Sequence, residues 1–372
     1  MPETDHNKMK TQAILMHAEK AVAADGRPTY RNPKLSLATR ELGSIAPTHV
    51  RVEMQYVGIC GTDVHLVSAD KTTGLIKTSA PCLIPPEGRV IGHEGTGRVI
   101  GVGEHVNGLE VGDTVAFESL LACGECDVCR RGKPNQCRKA QLMGLQFDGL
   151  FAGVADVPAK LARNITAFAK GKTDHLSAAC LEPAGVAYVA CENLRLLPSD
   201  TVVVFGAGPI GGYCAILAKQ LFGVERVITV EPLEHRRKLA RKWSDEVKSV
   251  EEFLQDTYRF DVLFEASGDM PSLASAFKRI EPNGRVCALA RSGQHLHIDA
   301  MDHLITNNIT IVGARGHLGG VFEKLLPPVK SGRFPILDVV TREISGLQQL
   351  LDYLRQPERI VFEECKIICS LQ

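Results

Sequence analysis

The 372-residue sequence lacks a net charge. Its 43 lysines and arginines balance 43 aspartates and glutamates, so the formal charge at pH 7 is zero. Proteins that bind nucleic acid or an anionic membrane surface usually carry an excess of basic residues. The charge balance therefore argues against both kinds of partner.

Long apolar runs are also absent, because none approaches the ~20 residues needed to span a bilayer. The N-terminal residues 1–8 contain acids and no apolar core, unlike a secretory signal. Without a secretory signal, the 12 cysteines are better explained as reduced thiols than as disulfides. We therefore expect a cytoplasmic protein with no membrane partner.

Four of the cysteines stand close together in the pattern Cys-x2-Cys-x2-Cys-x7-Cys. They are Cys123, Cys126, Cys129 and Cys137. Four thiolates can complete a tetrahedral shell around one Zn²⁺, and a closed shell leaves no position for a substrate. The pattern predicts a structural zinc site, with the chemistry elsewhere.

A change of pattern along the chain predicts two domains. From residue 11 to about 160, short apolar runs alternate with glycine-rich turns, which is typical of a β-rich, partly barrel-like domain. After about residue 183, strands alternate with helices, which predicts a parallel sheet of βαβ units. The predicted strands there are Thr201–Phe205, Val227–Val230, Asp261–Glu265, Arg285–Leu289 and Ile309–Val312. The expected fold is α/β, with residues 1–184 and 326–372 in the β-rich domain and 185–325 in a doubly wound domain.

A dinucleotide-binding fingerprint follows the first strand of the second domain. Its residues are Gly206, Gly208, Pro209, Ile210 and Gly211. A Gly-x-Gly-x-x-Gly motif between a strand and a helix lets the backbone approach a pyrophosphate, and the helix N-terminus offers N–H groups to it. Glu231 ends the next strand, where an acid accepts hydrogen bonds from ribose hydroxyls and repels a 2′-phosphate. The sequence thus favours NAD over NADP, although Arg236 nearby is a further cofactor contact that keeps NADP open.

Three other residues are candidate ligands of a second, reactive metal. Cys60 precedes Gly-Thr-Asp, His93 lies in Gly-His-Glu, and Glu182 precedes a proline. One sulfur, one nitrogen and one oxygen would leave a fourth position on zinc for water or substrate. Each also has a plainer explanation, namely a core thiol, a buried histidine and a helix N-terminal acid. Spacing alone does not group them.

The order of these motifs resembles that of zinc-dependent medium-chain dehydrogenases. The resemblance extends from about residue 11 to the C-terminus and rests on residues 92–94, 111–113, 123–137, 182–183 and 206–211. A glutamate before proline at 182–183 is similar to the branch of polyol (sorbitol) and threonine dehydrogenases, whereas ordinary alcohol dehydrogenases carry a cysteine ligand there. The resemblance implies a GroES-like catalytic domain and a Rossmann domain that binds NAD(H).

The resemblance also groups the metal ligands. It implies that Cys60, His93 and Glu182 bind a catalytic Zn²⁺, with Glu94 beside the metal as a supporting or exchangeable carboxylate. This ion would be separate from the structural one. Replacing a thiolate ligand by a carboxylate makes zinc a harder Lewis acid, which fits an oxygen-rich substrate.

Three residues next to Cys60 gain roles from the same resemblance. Thr62 would contact the substrate oxygen, His65 would pass the proton towards solvent, and Asp63 would orient His93. The deprotonated alcohol would then give a hydride to the nicotinamide in a cleft that excludes water.

The chain departs from its relatives between Cys60 and His93, where the segment Asp70–Arg89 makes the connection longer. We expect this insertion either to border the substrate cleft or to be a tolerated surface insertion. At the cleft, Lys71 or Lys77 would attract an anionic group. Arg315 follows the last strand of the second domain, at a place that in polyol-type relatives faces substrate or cofactor. The resemblance therefore implies such a role, with a surface ion pair as the alternative. In the family that edge strand pairs across a dimer, so a homodimer or homotetramer is expected.

The sequence therefore predicts a zinc-dependent enzyme that transfers hydride between NAD and a secondary alcohol, such as a polyol, sugar or cyclitol. One alternative is a dehydrogenase of an amino-, phosphate- or phosphonate-bearing hydroxy compound, threonine-like or biosynthetic. Another is a zinc ribbon that binds nucleic acid through the basic residues around the four cysteines. These residues are Arg130, Arg131, Lys133, Arg138 and Lys139.

Overall fold

The computed structural model describes residues 9–372. The polar N-terminal segment, on which the prediction of no secretory signal rests, lies outside the described residues. Within 9–372, no helix combines the length and apolar character needed to cross a membrane. The cytoplasmic location stays a prediction.

The first part of the chain is built from mainly antiparallel strands separated by glycine turns. Its strands are β1 (Met9–Val22), β2 (Pro28–Leu42), β3 (His49–Gly58), β4 (Arg89–Val90), β5 (Glu94–Val102), β6 (Thr114–Phe117), β7 (Leu120–Leu121), β8 (Gln141–Leu142), β9 (Val154–Pro158) and β10 (Ala162–Asn164). Its helices are α1 (Gly61–Val67), α2 (Asp127–Arg130) and α3 (Lys172–Ala179). The predicted β-rich domain is confirmed.

In the second part, strands and helices alternate as predicted. The helix α4 (Leu181–Leu194) joins the two parts, and the strands of the second are β11 (Thr201–Phe205), β12 (Arg226–Val230), β13 (Glu246–Lys248), β14 (Phe260–Glu265), β15 (Ile280–Ala288) and β16 (Thr310–Gly313). The helices between them are α5 (Pro209–Gln220), α6 (Glu234–Ala240), α7 (Val250–Gln255), α8 (Met270–Ala276) and α9 (Met301–Thr306). The short strand β13 was not predicted, because its three residues are only partly buried and show no apolar run.

These strands form one parallel sheet in the order β13-β12-β11-β14-β15-β16. The chain order reverses between β11 and β14, so the crevice at their carboxyl ends is the place where an open α/β sheet binds a ligand. The glycine motif begins there, directly after β11. The sheet confirms the predicted doubly wound fold.

The last part of the chain returns to the first domain. Its elements are α10 (Val321–Lys330), β17 (Val340–Ser345), α11 (Gly346–Leu354), α12 (Pro357–Glu363) and β18 (Lys366–Ser370). The strand β18 pairs antiparallel with β3, so the first sheet runs β10-β6-β5-β3-β18-β17. The predicted domain boundaries at 184 and 325 fall inside α4 and α10 and remain predictions.

The two domains share a continuous apolar core. One cluster of buried side chains contains Tyr56 and Ala116 from the first sheet together with Val202 and Val204 from β11. The helix α4 packs against β5 of the first sheet and β15 of the second, and half of its residues are buried in this cluster. A residue in the first turn of α4 is therefore held by both domains at once.

Candidate functional site

The four clustered cysteines come together in the first domain, beside α2. Neighbouring sulfur atoms lie 3.5 Å (Cys126–Cys129), 3.5 Å (Cys123–Cys137) and 3.9 Å (Cys126–Cys137) apart, close to the ~3.8 Å expected in a tetrahedral zinc site with ~2.3 Å bonds. Backbone N–H groups of Cys129 and Arg138 lower the pKa of the Cys126 thiol to about 6, whereas burial and the hydrogen bond with Cys126 raise the pKa of the Cys129 thiol to about 12. The cluster has the form of a structural zinc site.

The basic residues around this zinc site are largely paired with acids. Arg131 and Arg138 each lie 3.1 Å from Asp127, and Lys139 lies 3.2 Å from Glu125. Such pairing removes most of the local basic face on which the nucleic-acid alternative depends.

A second group of metal-binding side chains lies where β3 ends and β5 begins, at the interdomain cleft. The ligand atoms of Cys60, His93 and Glu94 all lie within 4.8 Å of one another. Cys60 follows β3 and is the N-cap of α1, while Glu94 opens β5 directly opposite Gly58 of β3. The strand pairing thus brings together residues that are more than thirty positions apart in sequence.

Asp63, which is predicted to orient His93, lies beside this group. The Asp63 carboxylate accepts a hydrogen bond from the backbone N–H of Cys60 at 2.9 Å, and its other oxygen lies 3.6 Å from Nδ1 of His93. Burial lowers the pKa of His93, but Asp63 and Cys60 outweigh burial and raise it well above the usual value. Asp63 therefore fixes the Cys60 turn and lies within ion-pair distance of the imidazole.

Glu182 faces the same cavity but lies outside the group of three. Its Oε1 accepts a hydrogen bond from the Ser119 hydroxyl at 2.5 Å, and Nε2 of His317 lies 3.7 Å from the same oxygen. Burial raises the pKa of Glu182, but His317, His93 and Ser119 reverse this effect and lower it to about 2. Glu182 is thus a buried carboxylate. Its role as a zinc ligand stays a prediction.

A buried lysine that the sequence reading missed lies behind this centre. Nζ of Lys366, on β18, forms an ion pair with Glu94 and donates a hydrogen bond to the carbonyl of Ile59 at 2.9 Å. The lysine is completely buried. Burial alone would lower the pKa of Lys366, but Glu94 and Cys60 beside it raise it instead. One signal was available, since Lys366 is the charged residue at the start of an otherwise apolar strand.

One cavity of about 600 Å³ contains the metal group and the glycine motif together. From the first domain it is lined by Cys60, Thr62, His65, His93, Glu94 and Glu182, and from the second by Gly208, Pro209, Ile210, Arg236, Arg291 and Arg315. Desolvation and the charge of Lys77 lower the pKa of His65. The predicted catalytic and cofactor residues therefore largely meet in one cleft.

The glycine motif has the geometry that a dinucleotide needs. Gly206 has φ of 91°, and a Cβ on Gly211 would lie 1.9 Å from the carbonyl oxygen of Gly206, so neither position tolerates a side chain. Glu231 accepts hydrogen bonds from the backbone N–H of Ala207 at 2.7 Å and of Leu233 at 3.0 Å. The acid is therefore held against the motif.

Arg236 reaches from α6 across the mouth of the cleft. It donates hydrogen bonds to the carbonyls of Val361 at 2.9 Å and Glu364 at 3.0 Å. A Cβ on Gly208 would lie 3.7 Å from its Nη1. Its guanidinium thus lies over the turn that would receive a pyrophosphate.

The insertion Asp70–Arg89 is packed into the first domain and also borders the cleft. The backbone N–H of Ile84 donates to the hydroxyl of Tyr30 at 3.0 Å, and Thr78 and Ala80 are buried and line the cavity. Its two lysines are exposed. Lys71 does not line the cavity, and its ion pair at 3.8 Å is with an exposed glutamate of α12.

Comparisons with known proteins agree with this arrangement. Residues 46–167 match the alcohol dehydrogenase GroES-like domain, and residues 209–331 match the zinc-binding dehydrogenase domain. The chain is 31% identical to the L-threonine 3-dehydrogenase of Pyrococcus furiosus over 82% of its own length and 86% of that protein. It is similar in structure to a putative alcohol dehydrogenase of Thermotoga maritima, with a TM-score of 0.84, 25% identity and coverage of 97% and 100%. A protein described as a short chain alcohol dehydrogenase of Escherichia coli CFT073, solved with NADH, gives a TM-score of 0.81 at 25% identity, with coverage of 97% and 99%.

The buried ion pair generates a stability prediction. Replacing Lys366 by methionine leaves Glu94 buried without its cation, which should lower the free energy of unfolding by about 3–5 kcal/mol. The double variant K366M/E94Q should regain much of this loss, because it also removes the buried charge. Urea unfolding of both variants and of E94Q alone tests this. Equal stability of K366M and the unmodified protein would contradict it.

A second prediction concerns the pKa of His65. The positive charge of Lys77 disfavours the imidazolium form, so Lys77→Gln should raise the pKa of His65. Lys71→Gln is the matched control and should leave this pKa unchanged, since Lys71 is exposed and paired with Glu358. NMR titration of histidine-labelled protein measures both values. A pKa of His65 that stays constant or falls in K77Q would refute the assignment.

Proposed function

The chain belongs to the zinc-binding dehydrogenase family with a GroES-like domain, and on that premise we propose that it oxidises a secondary alcohol to a ketone with NAD. One observation carries this proposal. Thiol, imidazole and carboxylate ligands share a single cavity with the glycine motif. A hydroxyl held by the first group would lie beside a nicotinamide held by the second, as hydride transfer requires.

The residues present fit a catalytic Zn²⁺. Sulfur, nitrogen and oxygen ligands suit this ion, and Oε1 of the buried Glu94 has no hydrogen-bond partner among the described residues. We assign Cys60, His93 and Glu182 as ligands, with Glu94 as the exchangeable carboxylate. Bound zinc would supply Lewis acidity, which lowers the pKa of a substrate hydroxyl.

Two residues of the chain would then accept and transfer the proton of the substrate hydroxyl. Thr62 is placed to accept or donate a hydrogen bond at the substrate hydroxyl, because it lines the cavity two residues after Cys60. His65 lines the same wall one helical turn further along α1. Its lowered pKa keeps the ring neutral and able to accept a proton at neutral pH.

Cofactor choice follows from Glu231. Its carboxylate is fixed by two backbone N–H groups next to the glycine motif, where it would accept hydrogen bonds from ribose hydroxyls and repel a 2′-phosphate. Arg236 would contact the pyrophosphate. NAD is therefore the proposed cofactor.

Two substrate classes are candidates. Polyols, sugars or cyclitols suit a carboxylate-ligated zinc. An anionic hydroxy compound is favoured by Arg291 and Arg315, which line the cavity. No carboxylate within residues 9–372 lies within ion-pair distance of either guanidinium, whereas the exposed Lys71 binds a surface glutamate. The relative from Pyrococcus furiosus is named for threonine, a hydroxy amino acid that carries a carboxylate.

The edge of the parallel sheet supports self-association. Among residues 9–372, β16 pairs only with β15. Ile311 of β16, and Met301 and Ile305 of the preceding α9, are exposed apolar side chains. An open edge with apolar neighbours is a template for pairing with another strand. We propose a homodimer through this edge, from which a tetramer could be built.

Metal analysis and cofactor kinetics test the proposed function. The purified protein should hold two zinc ions per chain and should reduce NAD faster than NADP at equal concentrations. Cys60→Ser should lose one zinc ion and the activity, while the four-cysteine site keeps the other. A single zinc ion in the unmodified protein, or a preference for NADP, would contradict this scheme.

A panel of secondary alcohols distinguishes the two substrate classes. If the substrate is anionic, Arg315→Gln should raise KM for hydroxy acids or phosphates at least tenfold, which corresponds to the loss of about 1.4 kcal/mol, and leave KM for NAD unchanged. Arg333→Gln is the control, since Arg333 is exposed and away from the cavity. Turnover of neutral polyols alone, unaffected by R315Q, would rule out the anionic class.

A further inference from the structure

A buried histidine lies between the two domains and has no part in the mechanism above. His317 follows β16 of the nucleotide-binding domain and is 5% exposed. Its Nδ1 lies 3.7 Å from Oε1 of Glu118, and its Nε2 lies 3.7 Å from Oε1 of Glu182. Neither nitrogen has a hydrogen-bond partner in the described part of the chain. The ring therefore lies between Glu118 of the first domain and Glu182 at the start of α4.

Both sides of the ring are held firmly. Glu118 is bound by Arg163 at 2.6 Å, and the ring packs against Phe322 with centroids 5.3 Å apart. On α4, a Cβ added to Gly185 would lie 3.3 Å from the His317 side chain. The glycine thus allows the helix that carries Glu182 to approach the histidine closely.

The backbone next to His317 is hydrogen-bonded to the four-cysteine segment, residues 123–137. The side-chain amide of Asn135, which lies between Cys129 and Cys137, donates a hydrogen bond to the carbonyl of Arg315 at 3.1 Å. This contact links the four-cysteine site to the segment that carries His317. The four-cysteine segment is therefore connected with the cleft through Arg315 and His317 of the nucleotide-binding domain.

Both polar neighbours of the Glu182 carboxylate approach the same oxygen atom. Ser119 and His317 both approach Oε1, whereas Oε2 has no protein partner within residues 9–372. A carboxylate that is held through one oxygen presents the other in a defined direction. Because Glu182 lines the cavity with Cys60 and His93, its free oxygen is available to a metal there.

We propose that His317 is a positioning residue that holds Oε1 of Glu182 and so presents Oε2 to the catalytic zinc. This inference rests on the proposed function, since it presupposes a metal at Cys60 and His93. Lys366 pairs with Oε2 of Glu94, and the proposed function assigns Glu182 as the third ligand. The histidine comes from the nucleotide-binding domain, and this ligand therefore depends on how the two domains are joined.

Zinc affinity is the direct test. His317→Leu should weaken zinc binding at the catalytic site by about 10–100-fold, as is usual when a residue that orients a metal ligand is removed. The four-cysteine site should keep its ion. His317→Gln, which retains a hydrogen-bond donor, should recover part of the affinity. Competition with a chelator measures the affinities, and the visible spectrum of the cobalt-substituted protein reports the ligand geometry.

Controls separate this role from a general loss of stability. His175→Leu removes another partly buried histidine, which stacks on Tyr56 away from the cavity, and should change neither zinc affinity nor the cobalt spectrum. If H317L does not fold, Glu118→Gln tests the other end of the bridge and should give a smaller loss of affinity.

Wild-type zinc affinity and an unchanged cobalt spectrum in folded H317L, or in E118Q where H317L does not fold, would overturn the inference while leaving the proposed function intact. Absence of a second zinc ion from the unmodified protein would instead overturn the proposed function, and this inference with it.

Discussion

The site is constrained by the burial of several acidic groups in one place. Glu94 and Glu182 are both nearly inaccessible to solvent. Burial raises the pKa of Glu94, and the charge of Glu182 raises it further, against the opposing effect of Lys366. Buried carboxylates are tolerated only when cations and hydrogen-bond donors compensate them. Lys366 compensates the charge of Glu94, and Ser119 donates a hydrogen bond to Glu182. A zinc ion would neutralise the negative charge that is left.

This requirement explains why the chain returns to its first domain. The strand β18 inserts between β3 and β17, and its first residue, Lys366, contacts a glutamate 272 positions earlier in the chain. The same strand pairs with Gly58, two residues before Cys60. The C-terminal segment therefore supports the metal centre from behind, and the fold and the site are stabilised by the same contacts.

Sequence patterns predicted the parts of the site that depend on local geometry. The four cysteines and the glycine motif are recognisable because their spacing within a few residues determines a metal shell or a tight turn. Grouping Cys60, His93 and Glu182 required a family resemblance, since separate strands and α4 bring them together. Lys366 and His317 were missed because their partners are remote in sequence, so no periodic pattern reveals them. The two lysines of the insertion suggested an anionic substrate, but the direction of a side chain depends on packing, which the sequence does not show. In the structure both lysines are exposed, and Thr78 lines the cavity instead.

The central claim is that two distinct zinc sites exist and that the reactive one lies in the interdomain cleft. Anomalous diffraction at the zinc edge, from crystals grown with NADH, tests it most directly. The account predicts one peak among the sulfurs of Cys123, Cys126, Cys129 and Cys137, and a second peak bound by Cys60, His93 and a glutamate oxygen. A single peak at the four cysteines, with the cleft empty of metal, would contradict it.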